Sequence, residues 1–230
     1  MIPGLTRRRA PGLALALGLA VLCTALQAAG LAEALRFDRD AIGEGSWWSL
    51  LTGNFVHLGW SHLGMNLAGL ALVVALVWQR FAARDWALVT VLCSLAVGAG
   101  LLWLNPRVIW YVGFSGTLHG LLVAGSIADL KVWPRSAALL LAGIAAKLLW
   151  EQLSGALPGS ESVAGGLVVV DSHLYGALAG ALLGTVLVVA GRGRAAPEDG
   201  GPLPGGVAAP LGTRLATLGG DPPGSQPRRR

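Results

Sequence analysis

The sequence predicts an all-α, polytopic membrane protein built as a six-helix bundle. Three observations carry this. The 230-residue chain is 54% hydrophobic with a mean hydropathy of +0.63. It holds only 17 Lys+Arg and 12 Asp+Glu. Its apolar residues fall into six runs, each of which with its flanks has the length of a membrane-crossing helix. Such a composition excludes a disordered protein, a coiled coil and a secreted disulfide scaffold. A net charge of +5 would suit a nucleic-acid partner, but the arginines stand at the ends of apolar runs and form no stripe, so they read as topology signals and no nucleic acid is expected.

Taken in order, the runs are Pro11 to Leu31, Leu63 to Trp78, Trp86 to Leu104, Ser115 to Leu130, Ala137 to Trp150 and His173 to Ala190. The first follows Arg7, Arg8 and Arg9 but is too long for a signal-peptide core, and it is read as a retained helix. With the N-terminus in the cytoplasm, nine basic residues lie at inner ends (Arg7, Arg8, Arg9, Arg80, Arg84, Lys131, Arg135, Arg192 and Arg194). Only Arg36, Arg39 and Arg107 then lie outside. Both termini are thus expected in the cytoplasm of a multi-pass protein of the bacterial inner membrane. The segment Ala32 to Ser61, which carries Trp47, Trp48 and Trp60, is expected along the outer surface. Residues 1–191 form the membrane domain. Residues 192–230, rich in Gly and Pro and ending in Arg228, Arg229 and Arg230, are expected to be a disordered, solvated cytoplasmic tail. Cys23 and Cys93 lie in separate runs and read as small buried hydrophobes.

Polar side chains inside a lipid-spanning helix are costly and mark sites. Here they gather at the openings of the second, fourth and sixth runs: His57, His62 and Asn66; Gly113, Ser115, Gly116 and His119; and Asp171, Ser172 and His173. Even-numbered helices run from outside to inside, so all three openings lie at one depth below the outer surface. Ser115 opens a helix between Gly113 and Gly116, where free backbone N–H groups and the positive end of the helix dipole are suited to an oxyanion. An isolated Gly-x-Ser-Gly also fits helix packing. Gly176, Gly180 and Gly184 follow His173 and give its helix a smooth face, so that if the Ser115 helix is the neighbour, His173 reaches Ser115 as its base. The alternative is an interhelical hydrogen bond. His62 and Asn66, four apart on one helix face, offer two donors to a developing negative charge or, alternatively, bonds to other helices. His57 takes a supporting or structural role.

These motifs, His57-x4-His62-x3-Asn66, Gly113-x-Ser115-Gly116 and His173-x2-Gly176-x3-Gly180, resemble those of the rhomboid family of intramembrane serine proteases. The resemblance covers about Pro11 to Gly191. It implies a six-helix rhomboid-like bundle, Ser115 as nucleophile and His173 as general base in a dyad without an acidic third member. It further implies an oxyanion site from His62, Asn66 and the Ser115 N–H, and peptide hydrolysis through an acyl-enzyme. Two departures stand out. Ser49 replaces the arginine of the family's Trp-Arg pair in the first outer loop, while Trp48 and Thr52 match. His119 stands where many rhomboids have a tyrosine that stacks on the catalytic histidine, and at four residues from Ser115 it is a second candidate base. Gly-Phe-Ser-Gly-x-Leu-His-Gly and the short core are similar to the rhombosortase subgroup. That implies membrane-anchored substrates with a Gly-rich C-terminal sorting tail.

Two rival readings remain at this point. One is an inactive rhomboid-like protein that binds membrane clients. The other is a small transporter whose histidines relay protons, for which Lys147 and Glu151 on one helix face are the best sign. Against it, Lys147 lies near the outer end, where it snorkels or pairs with Glu151. Asp129, beside Lys131 at the inner boundary, reads as an anchor. No His, Cys and carboxylate group stands at metal-ligand spacing and no phosphate loop is present, so no metal or cofactor is expected.

Overall fold

The computed structural model describes residues 3–193, with side chains from residue 12. The expected tail falls outside them, apart from Arg192 and Gly193. The six apolar runs become six long helices: α1 (Pro3–Ala28), α5 (Trp60–Leu76), α6 (Ala83–Leu104), α7 (Ser115–Asp129), α8 (Pro134–Ser154) and α10 (Val170–Val189). Four short helices lie in the connections: α2 (Ala32–Leu35), α3 (Arg39–Gly43), α4 (Ser49–Thr52) and α9 (Ser160–Ala164). Many large apolar side chains on the long helices face outward, among them Leu139, Leu178, Leu182 and Val189, as a lipid-facing surface requires. The protein is a helical membrane bundle.

The expectation that every run is long enough to cross the membrane needs correction. By length and apolar content α6, α8 and α10 qualify. Helix α7 has only 15 residues, about 22 Å at 1.5 Å per residue against a hydrocarbon core of about 30 Å. It does not need to span alone, because 11 of its 15 residues are buried by neighbouring helices. Backbone that leaves a helix at membrane depth is tolerated where protein surrounds it. The short central helix therefore begins inside the bundle, and its first residue is Ser115.

What holds α7 against α10 is the absence of side chains. A Cβ on Gly176 or Gly180 would collide with the main chain at Gly116 or Gly120, and one on Gly184 would lie 2.7 Å from the Ala124 Cα. The pairs rise together along both helices, so α7 and α10 run parallel in close backbone contact over two turns. In lipid, where tails are as apolar as leucine, such close packing is a main source of helix association. Cys93 of α6, fully buried, fills the space beside Gly120.

The segment 32–61 is folded, and Trp47, Trp48 and Trp60 remain exposed. Two residues of it, β1 (Phe37–Asp38), pair antiparallel with β2 (Trp110–Tyr111), placing Phe37 opposite Tyr111. This small ladder is the one departure from an all-helical chain among the described residues. Arg39, counted above only as an outer charge, fastens the segment to the end of α6. Its guanidinium donates to the carbonyls of Leu101 (2.6 Å), Leu102 (2.7 Å), Asn105 (2.8 Å) and Val108 (3.0 Å). The last carbonyls of a helix lack intrahelical donors and carry partial negative charge, so a five-donor cation is well matched to them. Ser49 is buried with no hydrogen-bond partner for its hydroxyl among the described residues, while Thr52 donates to the Leu35 carbonyl at 2.7 Å.

Candidate active site

The openings of α5, α7 and α10 meet at one end of the bundle, and the last turn of α8 joins them. Ser115 begins α7 after Gly113, whose φ of +130° suits glycine. A Cβ there would also lie 2.9 Å from His62 Cε1 and 3.0 Å from His62 Nε2. The bare backbone at Gly113 thus lets the His62 ring close on the start of α7. Tyr111 donates its hydroxyl to the Gly113 carbonyl at 2.5 Å, fixing the turn that leads to the serine. The first N–H groups of α7 have no acceptor within the helix and point toward this end.

His173, in the first turn of α10 and buried, places Nε2 3.0 Å from Ser115 Oγ. That is hydrogen-bond reach between a hydroxyl and an imidazole 58 residues apart in sequence. The other nitrogen, Nδ1, lies 2.9 Å from Glu151 Oε2. The expected pairing of Lys147 with Glu151 is present at 2.6 Å, but it engages the other carboxylate oxygen, Oε1. The implied absence of an acidic neighbour is therefore corrected: the hydrogen-bonded chain runs Ser115, His173, Glu151, Lys147. Sequence reading missed the third link because a cation four residues away on the same helix already accounted for the carboxylate. The signal available was a glutamate in the last turn of a largely apolar helix.

His119 stacks on His173, with ring centroids 4.4 Å apart and planes 23° from parallel. It occupies the place expected of a stacking aromatic ring. Its Nδ1 lies 2.7 Å from the Ser115 carbonyl oxygen, so its ring is committed to the main chain, and among the described residues the imidazole bonded to Oγ is that of His173. His62 and Asn66 are both buried. His62 Nδ1 accepts from the Leu58 N–H at 3.4 Å, a tautomer that leaves Nε2 as the N–H on the Gly113 side. Asn66 donates one Nδ2 hydrogen to the His62 carbonyl at 3.0 Å and keeps a second. His57 is fully buried, meets His62 edge-on at 5.1 Å and has no hydrogen-bond partner for either nitrogen among the described residues. Its position is that of a ring wedged behind His62.

Two polar clusters, one buried and one partly buried, hold these elements in register. Behind Ser115, Thr117 bonds Ser94 of α6 (2.8 Å) and Asn54 (3.2 Å), while Asn54 donates to the Ser94 carbonyl at 3.1 Å. Beside His173, Asp171 accepts from Asn105 Nδ2 at 2.7 Å and the Tyr175 hydroxyl bonds Asn105 Oδ1. A buried network of satisfied bonds fixes relative position more narrowly than apolar contact does. Asp129 at the opposite end is ion-paired with Arg80, not with the adjacent Lys131. Among the described residues there is no group of three or more His, Cys, Asp or Glu placed to hold a metal ion.

No curated protein matches the chain. The family model described as Rhomboid domain matches residues 44–190, which is more than half the chain and includes the serine, the four histidines and the helices that bring them together. The chain belongs to the rhomboid family, whose members are intramembrane serine proteases.

Proposed function

We propose that this protein is an intramembrane serine endopeptidase that cleaves membrane-anchored proteins near the outer surface of the bacterial inner membrane, with Ser115 as nucleophile and His173 as base. The observation that carries the reading is the 3.0 Å contact between Ser115 Oγ and His173 Nε2 at the start of a buried helix. His173 Nε2 takes the hydroxyl proton as Oγ bonds the scissile carbonyl carbon. The carbonyl oxygen becomes an oxyanion held by His62 Nε2–H, the free Asn66 amide hydrogen and the Ser115 N–H, with Gly113 leaving room for it. Collapse of this adduct breaks the C–N bond, and His173 returns the proton to the departing amine. Water then attacks the ester, again giving its proton to Nε2, and Ser115 leaves with that proton.

In this reading both termini are cytoplasmic, as the distribution of basic residues favours. The substrate helix unwinds at the site, since a hydrogen-bonded peptide shields its carbonyl. Gly-Phe-Ser-Gly-x-Leu-His-Gly and the compact core support a rhombosortase, so the substrates are membrane-tethered precursors with Gly-rich C-terminal sorting tails. An intact serine and histidine in hydrogen-bond contact argue against a client-binding protein without activity. Lys147, donating to Glu151 at 2.6 Å, has a static partner and does not need a proton-relay role.

The experiment is labelling with a fluorophosphonate, which bonds covalently to an activated serine. The wild-type chain in detergent is expected to be labelled at Ser115, and Ser115→Ala is expected to remain unlabelled. Failure of the wild type to react, or equal labelling of the alanine variant, would overturn the assignment.

A further inference from the structure

Helix α8 is the most exposed of the helices that pack around α7. Of its 21 residues, four are buried: Ala137, Ile144, Leu148 and Glu151. Three are apolar, as contact with neighbouring helices demands. The fourth is a carboxylate whose side chain is only 3% exposed. Acidic side chains are almost never buried to this degree without a partner, because taking the charge out of water is costly. An i,i+4 pair with Lys147 does not require that burial, since such pairs form on exposed helix faces. Lys147 itself stays 30% exposed. The carboxylate has turned inward, and the group it meets there is His173.

The two oxygens divide the work. Oε1 accepts from Lys147 Nζ at 2.6 Å, which supplies the counter-charge. Oε2 lies 2.9 Å from His173 Nδ1, while Lys147 Nζ is 3.5 Å from the same nitrogen. The shorter contact decides the tautomer. A carboxylate paired with an ammonium accepts hydrogen bonds and donates none, so Nδ1 carries the hydrogen and Nε2 presents its lone pair to Ser115 Oγ. His119, the other titratable group against this ring, bonds the Ser115 carbonyl and touches neither oxygen of Glu151 by hydrogen bond.

We infer that Glu151 is a positioning residue that acts through His173, orienting the imidazole, fixing its Nδ1–H tautomer and offsetting the charge the ring gains when it takes the serine proton. This rests on the nucleophile and base proposed above. It makes the site a Ser-His-Glu triad assembled from α7, α10 and α8, in which the proton stays on His173 and Lys147 is the counter-ion of the carboxylate. In serine proteases of unrelated fold, an amide in place of the acidic member costs about 10⁴-fold in kcat by favouring the wrong tautomer.

The test compares the full-length wild type, Glu151→Gln and Ser115→Ala in proteoliposomes with one helical transmembrane reporter peptide. Glu151→Gln keeps the shape of the side chain and is expected to lower kcat on the order of 10²- to 10⁴-fold with KM within about two-fold, because Glu151 lies behind the base. Retention of kcat within about three-fold, or a loss confined to KM, overturns the inference. A second readout does not depend on how Glu151→Gln folds. The chain has four histidines, and ¹⁵N NMR of the wild type, with the His173 signals identified by their loss in His173→Ala, reports which nitrogen is protonated. Hydrogen on Nδ1 is expected, and hydrogen on Nε2 overturns the inference. The two proposals fail separately: cleavage by Ser115→Ala removes the nucleophile assignment, whereas an inert Ser115→Ala beside an active Glu151→Gln removes only the triad.

Discussion

Replacing His173 by alanine is expected to lower reporter cleavage on the order of 10⁴-fold, while His119→Ala lowers it by about 10-fold or less. The difference follows from what each ring touches. His173 Nε2 is the group 3.0 Å from Ser115 Oγ, and without it the hydroxyl has no base. His119 holds the Ser115 carbonyl and the face of the His173 ring, so its loss loosens the base without removing it. Initial rates of the two variants in the same proteoliposomes decide this. A dead His119→Ala with an active His173→Ala would exchange their roles.

The second large effect concerns the helix pair that carries the two groups. Gly180→Val is expected to destabilise the protein by about 3 kcal/mol or more, and to remove activity with it. A Cβ at Gly180 would lie 2.6 Å from the Gly120 Cα, and that neighbour is backbone, which has no rotamer to move. The helices must part, and Ser115 and His173 part with them. Gly143→Ala on α8 is the control, since a Cβ there meets nothing within 4 Å among the described residues. Its expected effect is neutral to stabilising by about 1 kcal/mol, the helix preference of alanine over glycine. Thermal unfolding midpoints in detergent compare them, and equal midpoints for Gly180→Val and wild type would mean that α7 and α10 do not rely on this contact.

Much of the bundle was legible because lipid imposes a strong rule on composition. The six apolar runs coincide with the six long helices to within a few residues at most ends, the largest shift being the start of α1. The glycine series after His173 correctly indicated a close neighbour, and the neighbour is α7. The shortness of α7 was less visible, since its ends depend on what surrounds it. The site divides in the same way. Residues read as unusual in a lipid environment, Ser115, His173, His62 and Asn66, gather at one end. Glu151, Arg39, Asn54 and Asn105 were missed or read as plain charges, because each acts across 22 to 70 residues of sequence. Local periodicity reveals which residues are out of place but not which distant group makes up for it.

Arg39 is the clearest case of such a distant contact. Its four carbonyl contacts bind the loop to the end of α6.

The most direct measurement is product formation from a helical transmembrane reporter by the purified wild-type chain and by Ser115→Ala in otherwise identical liposomes. A shorter product is expected with the wild type alone, and its amount should grow with time. The same product formed at the same rate by Ser115→Ala would contradict the proposal that this hydroxyl, next to the imidazole of His173, breaks the peptide bond.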